Sequence, residues 1–193
     1  MKICFASHNQ NKVNELNELV SGIHEIVGLN DLGITEDIAE TGTTFEENSR
    51  IKARYVYDKL EIPVFADDSG LCVQSLNGAP GVYSARYAGE EKDDQKNIDL
   101  LLTELASKQE RTAYFATVVT YIDKAGNETQ FYGQVDGVIL EERTGNGGFG
   151  YDPVFLPEGY DVSFAQMSSA EKNSISHRAQ AVKKLIEHLS TNG

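Results

Sequence analysis

The sequence predicts a single α/β domain, residues 1–193, built on a long mixed β-sheet flanked by helices. Strand-like and helix-like segments mix along the chain without strict alternation, and no internal repeat, linker or low-complexity tract interrupts them. Thr112 to Asp123 is apolar on both of its alternating faces, the pattern of a central strand covered on each side. Forty per cent of the 193 residues are apolar, with 9 Tyr and 8 Phe, which supplies a real core and excludes a disordered acidic chain. Long paired strands in the second half suggest a lobe of their own and a cleft between two lobes.

The elements follow in order. Lys2 to Ala6 reads as a short buried strand, and Ser7 to Asn11 as a polar turn. From Lys12, Val13, Leu16, Leu19 and Val20 fall at helical spacing, and Gly22 closes the run. Asp31 to Gly42 is acidic and irregular. Thr43 with Glu46, or Thr44 with Glu47, offers a capping box for a helix that ends near Leu60, before Pro63. Ile62 to Ala66 is a second apolar strand, ending at Asp67-Asp68-Ser69-Gly70; Leu71 to Leu76 resumes extended, and Asn77-Gly78 turns. Lys92 to Ser107 is helical, with Ile98, Leu101, Leu102 and Leu105 on one face. After the central strand, Lys124 to Asn127 turns the chain and Glu128 to Glu142 returns as its partner. Ser168 with Glu171 forms another capping box, and the last helix turns Ile175, Ala179, Val182, Leu185, Ile186 and Leu189 inward.

Charge narrows the partners. Seventeen Lys+Arg against 30 Asp+Glu give a formal charge of −13, the wrong sign for a non-specific nucleic-acid binder. No run of 18 apolar residues predicts a membrane span, and Met1 to Ala6 has no signal-peptide architecture. Cys4 and Cys72 each lie in apolar runs and read as two reduced, buried thiols of a cytoplasmic protein, too few for a zinc ribbon.

Five segments carry candidate chemistry. Ser7-His8-Asn9-Gln10-Asn11-Lys12 is either an ordinary polar turn or an anion site, since it leads into a helix whose first N–H groups lack partners. Lys12 opposes the helix dipole there, which hints at a bound anion; the glycines of a Walker loop are missing. Asp67-Asp68 at a strand end is either a solvated junction or a Mg²⁺ site, and adjacent strand residues point to opposite faces, so one of the pair would ligate directly. Glu40, in the acidic loop Glu36 to Glu40, would supply a second carboxylate.

Gly145, Gly147 and Gly150 satisfy a dinucleotide fingerprint literally, but Pro153 with Val154-Phe155 continues extended where that motif must open a helix. Those glycines suit close backbone approach to a flat ligand, with Phe149 or Tyr151 available to stack. Ser176-His177-Arg178, with Lys172 just before, would offer donors from an exposed segment; alone it reads as a solvated pair.

Taken together these segments make the chain resemble the inosine triphosphate pyrophosphatase family, in its bacterial dITP/XTP branch. The landmarks run in order: Ser7-His8-Asn9…Lys12, Glu40 to Asn48, Lys52-Ala53-Arg54, Ala66 to Leu71, Gly78 to Tyr87, Phe149-Gly150-Tyr151-Asp152-Pro153, and Glu171-Lys172-Asn173…Ser176-His177-Arg178. The resemblance implies a two-lobed fold with a nucleotide cleft, and Mg²⁺-dependent cleavage of ITP, dITP and XTP to the monophosphate and pyrophosphate. It implies a cytoplasmic homodimer without nucleic-acid or membrane partners. It assigns Ser7, His8, Asn9, Gln10, Asn11 and Lys12 to the phosphate, His8 at a position where the family varies, and Lys52 and Ser69 to the substrate. It assigns Glu40 and Asp68 to the metal, Asp68 also as proton acceptor, and Phe149, Gly150, Tyr151, Asp152, Lys172, His177 and Arg178 to the base. Two other readings are a septum-associated nucleotide pyrophosphatase, opposed by the Phe149-to-Asp152 and Ser176-to-Arg178 landmarks, and a silent nucleotide-binding module, opposed by Glu40, Asp67, Asp68 and Lys12 together.

Overall fold

A computed structural model describes residues 2–20 and 25–192, with the side chains of Lys2, Asn11, Glu15, Glu18, Leu19, Val20 and Asn192 outside that description. The helical-face positions Leu19 and Val20 and the stop at Gly22 therefore lie outside it. Six strands form one sheet in the order β2-β1-β3-β4-β5-β6. They are β1 (Lys2–Phe5), β2 (Glu25–Gly28), β3 (Val64–Val73), β4 (Thr112–Ile122), β5 (Glu128–Ile139) and β6 (Phe155–Pro157). β1 lies parallel to β2 and to β3, with Phe5 opposite Phe65; β5 and β6 are antiparallel, with Ile139 opposite Phe155. The helices are α1 (Gln10–Val20), α2 (Phe45–Leu60), α3 (Asp94–Leu105), α4 (Ser169–Ile175) and α5 (His177–Asn192). The mixed α/β class is as the sequence predicts, and β4 is buried from Ala113 to Ile122 apart from half-buried Tyr114.

Several elements differ from the sequence reading. β2 falls in a stretch that sequence patterning did not assign, and four residues with one exposed end carry too little alternation to announce it. α1 begins at Gln10, because the Asn9 side chain accepts the Lys12 N–H and caps the helix two residues earlier than expected. β3 does not end at Asp67 but runs unbroken through Asp67, Asp68, Ser69 and Gly70 to Val73. Beyond Val73 the chain turns through a short 3₁₀ segment, Gln74–Leu76, rather than staying extended. Asp152–Val154 is likewise a 3₁₀ turn before β6. Ile175 closes α4 and packs with the Leu71–Phe164 core, while Ser176, extended, separates α4 from α5.

The capping signals read mostly as written. Thr44 caps α2 by accepting the Glu47 N–H, while Glu47 returns its carboxylate to the Thr43 N–H and hydroxyl. Ser168 and Glu171 form the reciprocal box of α4.

The chain forms two compact units. The first comprises residues 1–68, 117–133 and 178–193. Its sheet is covered on both faces. Ile3, Phe5 and Phe65 turn toward Val13 and Leu16 of α1 and Ala181, Val182, Leu185 and Leu189 of α5, with Phe5 and Phe65 stacked at 4.8 Å. The alternate residues Cys4, Ala6, Val64 and Ala66 face Ala53 and Val56 of α2. Period two along β3 thus decides which helices the next residues, Asp67 and Asp68, will meet. The second unit, residues 69–116 and 134–177, packs Leu71, Val73, Phe115 and Ile139 against Ile98, Leu101 and Leu105 of α3 and against Tyr151, Phe155 and Phe164. Both cysteines are buried and unpaired by disulfide, and burial pushes the Cys4 thiol up to about 12. No helix among the described residues is long and apolar enough to cross a membrane.

Candidate active site

Asp67 continues the face of Phe65 and meets α1 and α5. Lys12 Nζ donates to its Oδ1 at 3.0 Å, and Arg178 Nε donates to its Oδ2 at 3.3 Å. Asp67 and Arg178 are both almost completely buried. Burial alone would raise the Asp67 pKa; the charges of Lys12, Arg178 and Lys52 overcome it and hold the carboxyl well below the usual carboxylate range. Burial lowers the Lys12 pKa, opposed by Asp67. The anion that the helix-dipole argument calls for beside Lys12 is therefore already in the protein, as Asp67.

Asp68 continues the face of Ala66 and meets α2. Lys52 Nζ lies 3.4 Å from its Oδ1 and donates at 2.6 Å to Glu40 Oε1. Burial, with Glu40 adding to it, raises the Asp68 pKa against the pull of Lys52 and Lys12. Lys52 moves upward as well, because Asp68, Glu40 and Asp67 outweigh its own burial. Two neighbours in sequence are thus driven in opposite directions, one locked as an anion and one biased toward taking a proton. This also explains why β3 passes through two aspartates: each has its countercharge on the helix it faces.

The other residues of the first loop are held by contacts within it and by nearby residues. Asn9 caps α1, and the Ser7 hydroxyl accepts the Asn9 N–H. His8 turns its ring nitrogens toward Asn30 Oδ1 and the Glu36 carbonyl, and Gln10 donates to Asn14. Of this loop Lys12 reaches the acidic pair; the Asn11 side chain lies outside the described residues.

Mg²⁺ is compatible with this donor set. Asp68 Oδ2 is buried without a hydrogen-bond partner among the described residues, and hard carboxylate oxygen is the ligand Mg²⁺ selects. Among the described residues no group of three or more His, Cys, Asp or Glu stands ready to cage a metal. Glu40 and Asp68 would hold such an ion only together with oxygens supplied by a ligand, which is how Mg²⁺ commonly binds beside phosphates.

The second unit holds its own cluster. Lys172 Nζ donates to Asp152 Oδ2 at 2.7 Å, both residues buried, and sits 4.6 Å from the Phe149 ring centre. Asp152 Oδ2 also accepts the Phe149 N–H, and Asp94 accepts the Gly150 N–H. The Tyr151 ring lies in the core with its hydroxyl donating to the Ser84 carbonyl, so it is not the stacking surface the sequence suggested; Phe149, half-buried, keeps that possibility. His177 stacks on Phe115 at 4.9 Å. Ser176, His177 and Arg178 are 4%, 6% and 4% exposed, which overturns their reading as an exposed segment. Phe115 beneath His177 and Asp67 beside Arg178 come from positions far away in sequence, and local polarity gives no sign of them. Ser69, half-buried, follows Asp68 on β3.

The glycine loop is held by contacts with protein. Gly147 N–H donates to the Ala165 carbonyl, and Gly148 adopts φ +70. A Cβ on Gly148 would stand 2.0 Å from Asp152 Oδ2. Gly148→Ala is therefore expected to push Asp152 off Lys172 and to cost about 1–3 kcal/mol of stability. Urea denaturation checks this, and a wild-type midpoint would contradict it.

Sequence reasoning missed Asp94 and Asn97. Asn97, buried, ties the Ala88 N–H and the Ala85 carbonyl to α3. Asp94 lies next to the Asp93 cap of α3, and an acidic pair at a helix start signals capping rather than a hold on a distant loop.

A doubly covered sheet with two paired aspartates on its middle strand is an α/β scaffold carrying a charged site. The Ham1 family model matches residues 3–188, and the chain belongs to that family. It is 52% identical over 190 residues to the dITP/XTP pyrophosphatase of Christiangramia forsetii, covering 98% of this chain and all of the relative. It is 48% identical to that of Bacillus subtilis, covering 95% and 94%. Among solved structures, the Staphylococcus aureus Ham1 protein matches over the full length of both chains with a TM-score of 0.91 at 40% identity. The Mycobacterium abscessus nucleoside-triphosphatase / dITP/XTP pyrophosphatase matches with a TM-score of 0.79 at 39% identity, over 96% of this chain and 98% of that one.

Proposed function

We propose that this chain is a Mg²⁺-dependent pyrophosphatase that hydrolyses ITP, dITP and XTP to the monophosphate and pyrophosphate, clearing non-canonical purines from the nucleotide pool. The names of its relatives support the substrate class. The observation that carries the chemistry is the opposed environments of Asp67 and Asp68. Asp68, whose burial favours its protonated form, takes the proton of a water as its oxygen bonds to the α-phosphorus. The bond from that phosphorus to the bridging oxygen breaks, and pyrophosphate leaves with the electron pair. Lys12 and Lys52 stabilise the charge that gathers on the phosphate oxygens. Glu40 and Asp68 would hold a Mg²⁺ ion, which would supply further positive charge to the triphosphate when bound. Asp67 does not compete as a base, because Lys12 and Arg178 hold it ionised and keep its proton affinity low.

Base choice follows from hydrogen-bond polarity. A donor from His177 or Arg178 pairs with the 6-carbonyl of hypoxanthine or xanthine and meets the 6-amine of adenine donor to donor. Phe149 offers a ring face, its position fixed by Asp152 and Lys172. The proposal includes a homodimer in the cytoplasm, where two buried reduced thiols are at home, with no nucleic-acid or membrane partner.

A panel of nucleoside triphosphates with Mg²⁺, read for pyrophosphate and for orthophosphate, tests the reading. Pyrophosphate from ITP, dITP and XTP is expected in large excess over ATP, and chelation of the metal should stop it. Orthophosphate as the product would overturn the assignment.

A further inference from the structure

Asn48 is fully buried on α2, one turn before Lys52 on the same helical face. The two side chains grip the two ends of the tripeptide Glu40-Thr41-Gly42: Asn48 Oδ1 accepts the Gly42 N–H at 2.8 Å, and Lys52 Nζ donates to Glu40 at 2.6 Å. The contact is close enough to require glycine, since a Cβ on Gly42 would lie 2.7 Å from Asn48 Oδ1 and 2.6 Å from the Glu47 Cβ. The Gly42 N–H also fixes which end of the carboxamide is which, because a flipped amide would set donor against donor. Nδ2 is therefore the other end, and it is buried with no hydrogen-bond partner among the described residues. A buried amide donor left unsatisfied is costly, and native proteins seldom keep one without a use.

We propose that Asn48 is a further substrate-binding residue, its Nδ2 donating to a phosphate oxygen of the bound nucleoside triphosphate while its Oδ1 keeps the Glu40 loop in place. The inference rests on the triphosphate reading above and adds to it a neutral, fixed donor beside the charge of Lys52. An anionic oxygen suits the position because the neighbouring Lys52 already favours one, and an N–H to a charged acceptor makes a strong hydrogen bond.

The test uses the full chain with Mg²⁺, a non-hydrolysable α,β-methylene analogue of ITP, inorganic tripolyphosphate and inosine. In the wild-type protein the Asn48 side-chain amide signals in ¹⁵N spectra should shift with the analogue and with tripolyphosphate, and stay still with inosine. Asn48→Asp keeps an acceptor for Gly42 but replaces the donor with a negative oxygen. It should weaken analogue binding by about tenfold or more, with the ITP-to-ATP preference unchanged. Wild-type amide signals that ignore both phosphate probes, or an Asn48→Asp protein that binds the analogue within twofold of wild type, would overturn the inference. If the wild-type protein fails to bind the analogue at all, the proposed function falls and this inference with it. Binding of the analogue without movement of the Asn48 signals removes this inference alone.

Discussion

Asp68→Asn is expected to fold normally, to match or exceed the wild-type thermal midpoint at neutral pH, and to lose about a thousandfold or more of pyrophosphate release from ITP. The two halves of that result have one cause. Burial and Glu40 raise the Asp68 pKa in the folded protein. A carboxyl with a raised folded pKa contributes stability that is present below its unfolded pKa and lost as the pH rises through the folded one. At neutral pH its charge is therefore a burden on the fold that the neutral asparagine relieves, while Lys52 keeps Glu40 as its closer carboxylate. The same substitution removes the proposed base and a carboxylate oxygen from the metal side. Thermal unfolding and a pyrophosphate assay on one preparation check both. A variant that is markedly less stable and still active would remove Asp68 from the centre of the mechanism.

Asp67→Asn should behave in the opposite way. It leaves Arg178, 4% exposed, and Lys12, with a mostly covered side chain, facing no anion at that position. Breaking a buried ion pair from one side costs about 3–5 kcal/mol, a large share of the roughly 5–15 kcal/mol that holds a domain together. Asp67 has a depressed folded pKa, so its contribution is present above the unfolded carboxylate pKa and is lost as the pH falls through the folded value. The wild-type protein should therefore lose stability on acidification, and Asp67→Asn should show a shallower acid limb. Urea denaturation across the acidic range measures this. Equal stability of Asp67→Asn and wild type at neutral pH would mean that the Lys12–Asp67–Arg178 group contributes little.

What the sequence discloses and what it hides follow the reach of each interaction. Local signals are readable: the Ser168–Glu171 box, the α3 face of Ile98, Leu101 and Leu105, and the doubly apolar β4 depend on neighbours within a few residues. The alternation that sends Asp67 and Asp68 to opposite faces is equally local, and the structure gives them different partners. The unbroken β3 is not readable that way. It depends on Lys12, 55 residues upstream of Asp67, and on Arg178, 111 residues downstream. The burial of Ser176, His177 and Arg178 is hidden for the same reason, since polar letters suggest solvent until their partners are known. The glycine loop misleads differently. Gly148 is required by the Asp152 carboxylate four residues on, a contact that a motif search for ligand-binding glycines does not consider. The family landmarks point to candidate residues; the packing on the two faces of β3 gives the two aspartates different partners.

The two compact units interleave along the chain, with changes of unit after Asp68, Ala116, Gly133 and His177. Three of those changes fall within β3, β4 and β5, and the fourth at the first residue of α5. No single cut in the gene therefore yields one unit whole. Truncation mapping, fragment complementation and half-length expression would each sever a unit from part of its own core. Dissection of this protein has to proceed by point substitution, and a nonsense mutation even at the last change, after His177, removes Arg178 and the entire α5 contribution to the packing around Phe5 and Phe65.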